Sequence, residues 1–226
     1  MPNLHIVKKV DIDNTFRVSR VMADFDVKME HLGRVFDGNV DLPGKWQIGL
    51  ICGASGTGKS TIAKELFGSW YGNYQEFSAK SVIDDMPKDA TVTEIEKMFY
   101  AVGFGSVPCW LKPYSVLSNG EQMRVCLAKS LLSSNNVCFD EFTSVVDRNV
   151  AKTLCMALKK CLKKYPEKQF VAVSCHKDII EYLQPDWIFD TDTMQMVFLF
   201  AHDLPNDMRF IKSEKNRGQS LGTIII

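Results

Sequence analysis

The chain has 226 residues, 46% of them hydrophobic and 24% charged, which is ordinary globular composition and enough length to bury a sizeable core. Its formal net charge is zero, so no global field demands nucleic acid or an anionic membrane, and no stretch approaches the roughly 18 apolar residues that span a bilayer. Seven cysteines without a CxxC pair argue against a zinc site and predict reduced thiols in a cytoplasmic protein, with Cys52, Cys138 and Cys175 on or beside core strands.

Residues 1–44 are mixed. The start, MPNLHIVKKVDID, has no apolar h-region, which predicts that there is no signal peptide. IVKKVDI and FRVSRVMADFDVKM read as two strands or as a strand and a helix, and DLPGKW (41–46) as a turn. QIGLIC (47–52) is a short apolar strand that runs into GASGTGKS (53–60). Gly53, Gly58, Lys59 and Ser60 meet the pattern G-x-x-x-x-G-K-[ST], with Gly56 as an extra glycine. Glycines allow a positive φ and close approach, so successive N–H groups of the loop Gly53, Ala54, Ser55, Gly56, Thr57 and Gly58 can cradle an anion. Lys59 reaches the β- and γ-phosphates in such a loop, and the Ser60 hydroxyl ligates Mg²⁺. STIAKELFG (60–68) reads as a helix that begins with Ser60 and Thr61 and places its positive end under the phosphates.

VTEIEKMFYAVGF (92–104) is predicted as one amphipathic helix with Ile95, Met98 and Phe99 on a face. LSNGEQ (117–122) opens another, where Ser118 and Glu121 have capping-box spacing and Met123, Cys126, Leu127 and Leu131 form an apolar stripe. By itself that segment is a well-capped core helix. NNVCFDEF (135–142) is a buried strand with Asp140 and Glu141 at its carboxyl end. Asp140 is placed to hold Mg²⁺, directly or through water, and Glu141 to polarise an attacking water. A helix over about 147–165 has Val150, Leu154, Leu158 and Cys161 inward and Asp147 near its start. Its end, KKCLKKYPEK, reads as a solvated helix terminus rather than a nucleic-acid contact, because no aromatic residues interleave it. FVAVSCH (170–176) is a further apolar strand, and His176 just past it lies on the ligand side of an open α/β sheet.

In this order the motifs resemble those of ABC-type ATPases over roughly residues 45–190. GASGTGKS is similar to the Walker A loop, LSNGEQ to the signature motif, VCFDE to the Walker B strand with its catalytic glutamate, SVVD to the D-loop with Asp147, and His176 to the switch histidine. The resemblance implies an α/β P-loop NTPase fold of ABC type. That fold is a mainly parallel sheet flanked by helices, with a small antiparallel β region and a short helical lobe carrying the signature. The expected division is an N-terminal β-rich segment (1–44), a core (45–200, helical lobe about 88–134) and a tail (201–226). The resemblance further implies binding and hydrolysis of MgATP in a head-to-tail pair of copies. Ser118, Asn119, Gly120 and Glu121 of one copy would complete the site on Lys59 of the other. Lys59, Glu141 and His176 would carry the chemistry.

Three features depart from the family. The glutamine expected before the signature is missing, and SVIDDMP (81–87) stands in its place, so Asp84 or Asp85 is a substitute ligand for Mg²⁺, with Asp85 preferred. Lys59 to Ser118 spans only 59 positions, which speaks against a conventional transporter subunit. An aromatic from an early strand stacks on adenine in the family. Phe25, 28 positions before Gly53, suits that role, with Phe16 and Phe36 as competitors and core packing as the plain alternative.

The phrases DEFTSVVDR, VLSNGE and LQPDWIFD resemble cassette ATPases of bacteria and phages, some fused to a predicted acetyltransferase domain. About 35 residues follow PDWIFD, too few for such a domain, so the ATPase part alone is expected. The expected function is a soluble ATPase clamping a cytosolic protein or nucleic-acid partner. The alternatives are the energy subunit of a membrane transporter and a slowly hydrolysing binding module.

Overall fold

The structure, a computed structural model, describes residues 3–28, 32–72 and 75–198. The expected tail, 201–226, lies outside them. The described residues fall into two compact units, one within Met1–Asp41 and one within Leu42–Ile226.

In the first unit β1 (Asn3–Lys8) pairs antiparallel with β2 (Arg34–Asn39), with Asn3 opposite Asn39 and Lys8 opposite Arg34. Between them FRVSRVMADFDVKM resolves as a helix, α1 (Phe16–Asp24). Thr15 starts it by accepting the Val18 N–H on its side chain at 3.3 Å, a local bond that a strand would not use.

The second unit is built on a five-stranded sheet. Its order is β4 (Asn136–Phe139), β5 (Gln169–Ser174), β3 (Ile48–Cys52), β6 (Trp187–Asp190), β7 (Gln195–Phe198). The first four are parallel and β7 runs antiparallel to β6. This is the α/β class expected from the alternation of apolar strands and helices. Parallel strands are covered on both faces, so they read as unbroken apolar runs, and all five residues of β3 are buried. Gly49 is needed there: a Cβ would lie 2.1 Å from the indole of Trp187 on the neighbouring strand. That indole is itself fully buried and stacks on Phe67.

The covering helices are α2 (Lys59–Phe67), α6 (Arg148–Leu162) and α7 (Ile180–Leu183). A helical segment, α3 (Val92–Ala101), α4 (Val107–Trp110) and α5 (Asn119–Ser133), intervenes between α2 and β4. The expected helix over 92–104 stops at Ala101. Gly103 is left-handed (φ +73°), and the Phe104 N–H returns to the Phe99 carbonyl at 2.7 Å, which closes the helix end. The Phe104 and Phe99 rings meet edge to face across that closure.

On α5, Met123, Cys126, Leu127 and Leu131 are buried as the stripe required. On α6, Leu154, Leu158 and Cys161 are buried, whereas Val150 is only half-buried. Cys52 and Cys138 sit in the core, and burial pushes both thiols up to about 12. Cys175 is exposed instead, because β5 ends one residue earlier at Ser174.

Candidate nucleotide site

The carboxyl ends of β3, β4, β5 and β6 share one edge of the sheet, and the candidate residues emerge there. β3 delivers Gly53 into the loop with φ +153°. A Cβ at Gly53 would lie 2.2 Å from Thr191 Oγ1, so the loop starts flush against the end of β6. Gly58, at φ +94°, caps α2 without any side-chain hydrogen bond, which leaves the first N–H groups of the helix to an incoming anion.

Lys59 is buried and donates from Nζ to the Ala54 carbonyl at 2.7 Å, so its ammonium lies across the loop. Thr57 Oγ1 also donates to the Ala54 carbonyl, at 2.8 Å, and lies 2.5 Å from Thr191 Oγ1. Ser55 is exposed, and Ser60 and Thr61 are half-buried at the helix start.

Asp140 leaves the end of β4 with both carboxylate oxygens engaged. Oδ1 accepts the Glu141 N–H at 2.9 Å, and Oδ2 accepts the Tyr71 hydroxyl. That phenol has Ser60 as a second hydrogen-bonding neighbour, and burial followed by the bond to Asp140 raises its pKa. Ser60 and Asp140, far apart in sequence, therefore meet at one hydroxyl. A hydroxyl and a carboxylate are hard oxygen donors, and this pair suits Mg²⁺.

Glu141 is exposed with a left-handed backbone (φ +53°). Its carbonyl is held by the Ser144 N–H at 3.1 Å and the Ser144 hydroxyl at 2.8 Å, so the turn is pinned through the backbone. Glu141 borders a cleft of about 330 Å³ that is also lined by Asp140, Ser144, Asn119 and Gln122. His176 stands two residues past β5. Its N–H donates to Ser174 Oγ at 3.1 Å, and its buried Nδ1 has no hydrogen-bond partner among the described residues. Asp147 is the N-cap of α6, accepting the Asn149 N–H at 2.8 Å.

Ser118 and Asn119 are exposed and Gly120 is half-buried. Ser118 is the N-cap of α5 in a reciprocal box: Ser118 N–H donates to Glu121 Oε2 at 2.9 Å, and Glu121 N–H to Ser118 Oγ at 3.4 Å. The Ser118 N–H and then the Ser118 hydroxyl, which donates to the same Oε2 at 2.8 Å, lower the Glu121 pKa. A Cβ on Gly120 would come 3.2 Å from Val146 Cγ1, so the signature turn packs against the loop that precedes Asp147.

Two expected site residues are engaged differently. Asp85 caps its own loop: Oδ1 accepts the N–H groups of Ser78 at 2.9 Å and Ala79 at 3.0 Å, because SVIDDMP folds as a turn. Asp84 accepts the Ser81 hydroxyl. Phe25 is the C-cap of α1 rather than a strand residue, since Thr15 nucleates a helix there. Of the three aromatic candidates only Phe36 lies on a strand, β2, and it is buried.

Five residues that sequence reasoning missed complete the site's frame. Asp192 Oδ1 accepts the Ala54 N–H at 2.8 Å, and Lys177 Nζ bridges Asp190 at 2.8 Å and Asp192 at 2.9 Å. The Ala54 amide, then Lys177, holds the Asp192 carboxyl below its ordinary range, while Asp190 chiefly raises Lys177. Thr191 Oγ1 also donates to the Cys52 carbonyl at 3.1 Å. TD directly after the strand WIFD carried the same positional signal as DE after VCF. Tyr71, in contrast, reaches the site by long-range pairing with β4 and has no local signal.

A glycine loop between a parallel strand and a helix, carboxylates at the end of a second strand, and a separately capped helix before that strand define the ATP-binding cassette fold. The solved structures agree. CbiO1 from Clostridium perfringens, part of the ABC transporter complex cbiONQ, matches with a TM-score of 0.54 at 18% identity, over 69% of this chain and 77% of that one. The dimeric bacterial ABC transporter cassette MJ0796 matches with a TM-score of 0.51 at 14% identity, over 70% of this chain and 87% of that one. A post-hydrolysis dimer of MJ0796 bound to ADP and Pi matches with a TM-score of 0.51 at 15% identity, over 70% and 87% of the two chains. At such identities the likeness is one of fold. No family model and no curated protein matches the chain.

Proposed function

We propose that this chain is a cassette ATPase that binds MgATP and hydrolyses it to ADP and phosphate between two head-to-tail copies, driving a clamp on a protein or nucleic-acid partner. The observation that carries the reading is the meeting of Ser60, from the glycine loop, with Asp140, from β4, at the edge where Glu141 also emerges.

The glycine loop and the open end of α2 bind the phosphates through N–H groups. Lys59, which now rests on the Ala54 carbonyl, swings its ammonium to the β- and γ-phosphates. Ser60 and Asp140 would hold Mg²⁺, which would supply positive charge to the phosphate oxygens. Glu141, solvent-accessible on a pinned turn, takes a proton from the water that attacks the γ-phosphorus, and the bond to the bridging oxygen of ADP breaks. His176 orients that water or the γ-phosphate. The Ser118–Gly120 turn supplies the second anion contact to the nucleotide of another copy.

The fold neighbours are transporter cassettes, which favours a second reading as the ATP-binding subunit of a membrane transporter. No helix among the described residues is long and apolar enough to cross a membrane. Co-purification of a membrane subunit would establish that reading. The kinship with acetyltransferase-linked ATPases rests on the sequence phrases alone.

The test is Glu141→Gln. With ATP it is expected to double in mass by light scattering while hydrolysis falls on the order of 10²-fold or more. An unchanged mass with ATP, or an undiminished rate, would overturn the reading.

A further inference from the structure

The chain returns from α2 to the edge of β4 before entering the helical segment. The Tyr71 N–H bonds the Phe67 carbonyl at 2.8 Å, the Cys138 N–H bonds the Trp70 carbonyl at 2.9 Å, and Tyr71 bridges Cys138 in parallel. These backbone bonds fix Tyr71 beside the strand position two residues before Asp140. Lys64 Nζ lies 5.1 Å from the centre of its ring and holds the ring's other side.

We propose that Tyr71 is a positioning residue for the metal-binding carboxylate: its hydroxyl and the Glu141 amide fix the two oxygens of Asp140 so that the carboxylate stays turned toward Ser60. The inference rests on the reading of this edge as a MgATP site. A carboxylate oxygen has two lone pairs. Each oxygen can in principle take a donor and a cation together, and donors on both oxygens restrain rotation of the group. Glu141 N–H supplies one donor at 2.9 Å and Tyr71 the other. Ser60 is the phenol's other neighbour, so the residue that orients Asp140 also lies beside the second proposed metal donor.

Tyr71→Phe removes the hydroxyl and keeps the ring. Binding of Mn²⁺, used in place of Mg²⁺, is followed by paramagnetic resonance with a non-hydrolysable ATP analogue present, and nucleotide binding is measured separately in EDTA. The expected result is about a tenfold loss of Mn²⁺ affinity, the size of one hydrogen bond to a charged group, with metal-free nucleotide affinity unchanged. On an Asp140→Asn background the substitution is expected to change Mn²⁺ affinity no further. Unchanged or tighter Mn²⁺ binding in Tyr71→Phe, or equal losses on the two backgrounds, would overturn the role. If Tyr71→Phe does not fold, Tyr71→His, which restores a donor, must hold Mn²⁺ within about threefold of wild type, and a larger loss refutes the role. Wild type that binds no nucleotide would sink the site reading and this inference together. Wild type that binds MgATP with a Tyr71→Phe indistinguishable from it would sink this inference alone.

Discussion

Asp192 holds the Ala54 amide and is held in turn by Lys177, so the start of the glycine loop depends on a carboxylate that lies 138 positions away. Its folded pKa is below the ordinary 3.8, which means that folding favours the charged form. The stabilisation is present above that ordinary value and is lost as pH falls through the folded pKa. Asp192→Ala is therefore expected to melt below wild type at neutral pH, with the difference closing as acid protonates the wild-type carboxyl. Melting curves for the two proteins from pH 7 downward check this, and a gap independent of pH would refute it. Lys59, Ser60, Asp140 and Glu141 were legible from the sequence because each has a fixed place relative to a strand end. Asp85 was named by the interval alone; its Oδ1 caps a turn, and its buried Oδ2 has no hydrogen-bond partner among the described residues.

The start of α5 was legible: Ser118 with Glu121 forms the box that its spacing promised. Thr91 with Glu94 forms another at the start of α3, where sequence reasoning named no cap. The far end of α5 was not legible. Lys168 is buried and donates from Nζ to the Leu131 carbonyl at 2.7 Å, the Ser134 carbonyl at 3.1 Å and Asn135 Oδ1 at 3.1 Å. Burial lowers its pKa, but three acceptors at a helix's negative end hold the ammonium there. In the sequence Lys168 belonged to a solvated basic run; in the fold it closes the signature helix. Lys168→Ala is expected to lower stability by about 1–3 kcal/mol, since it takes the ammonium donor from the carbonyl of buried Leu131. Urea unfolding measures this, and a change under about 0.5 kcal/mol would show that water replaces the ammonium.

At the level of the whole molecule, the surface proposed for sharing a nucleotide between copies is the turn with exposed Ser118 and Asn119. Ser118→Arg places a long cation there and also removes the cap. Ser118→Ala removes only the cap, worth about 1 kcal/mol, and so serves as the control. The arginine variant is expected to bind ATP as a single copy with its ATPase rate reduced at least about tenfold beyond the alanine variant. Nucleotide titration and rates at rising protein concentration check this; equal rates for wild type and Ser118→Arg would refute a shared site.

By itself the sequence determined the parallel sheet, the glycine loop and the carboxylates after β4, because these follow from short-range chemistry: hydrophobic period, glycine φ, caps and strand ends. The tertiary structure alone decided that Tyr71 meets Asp140 and that Thr191 and Asp192 anchor the loop. Those pairings join segments tens to more than a hundred residues apart. A hydrogen bond across such a separation depends on which strands become neighbours; TD after WIFD marks a strand end, but not that its partner is the glycine loop.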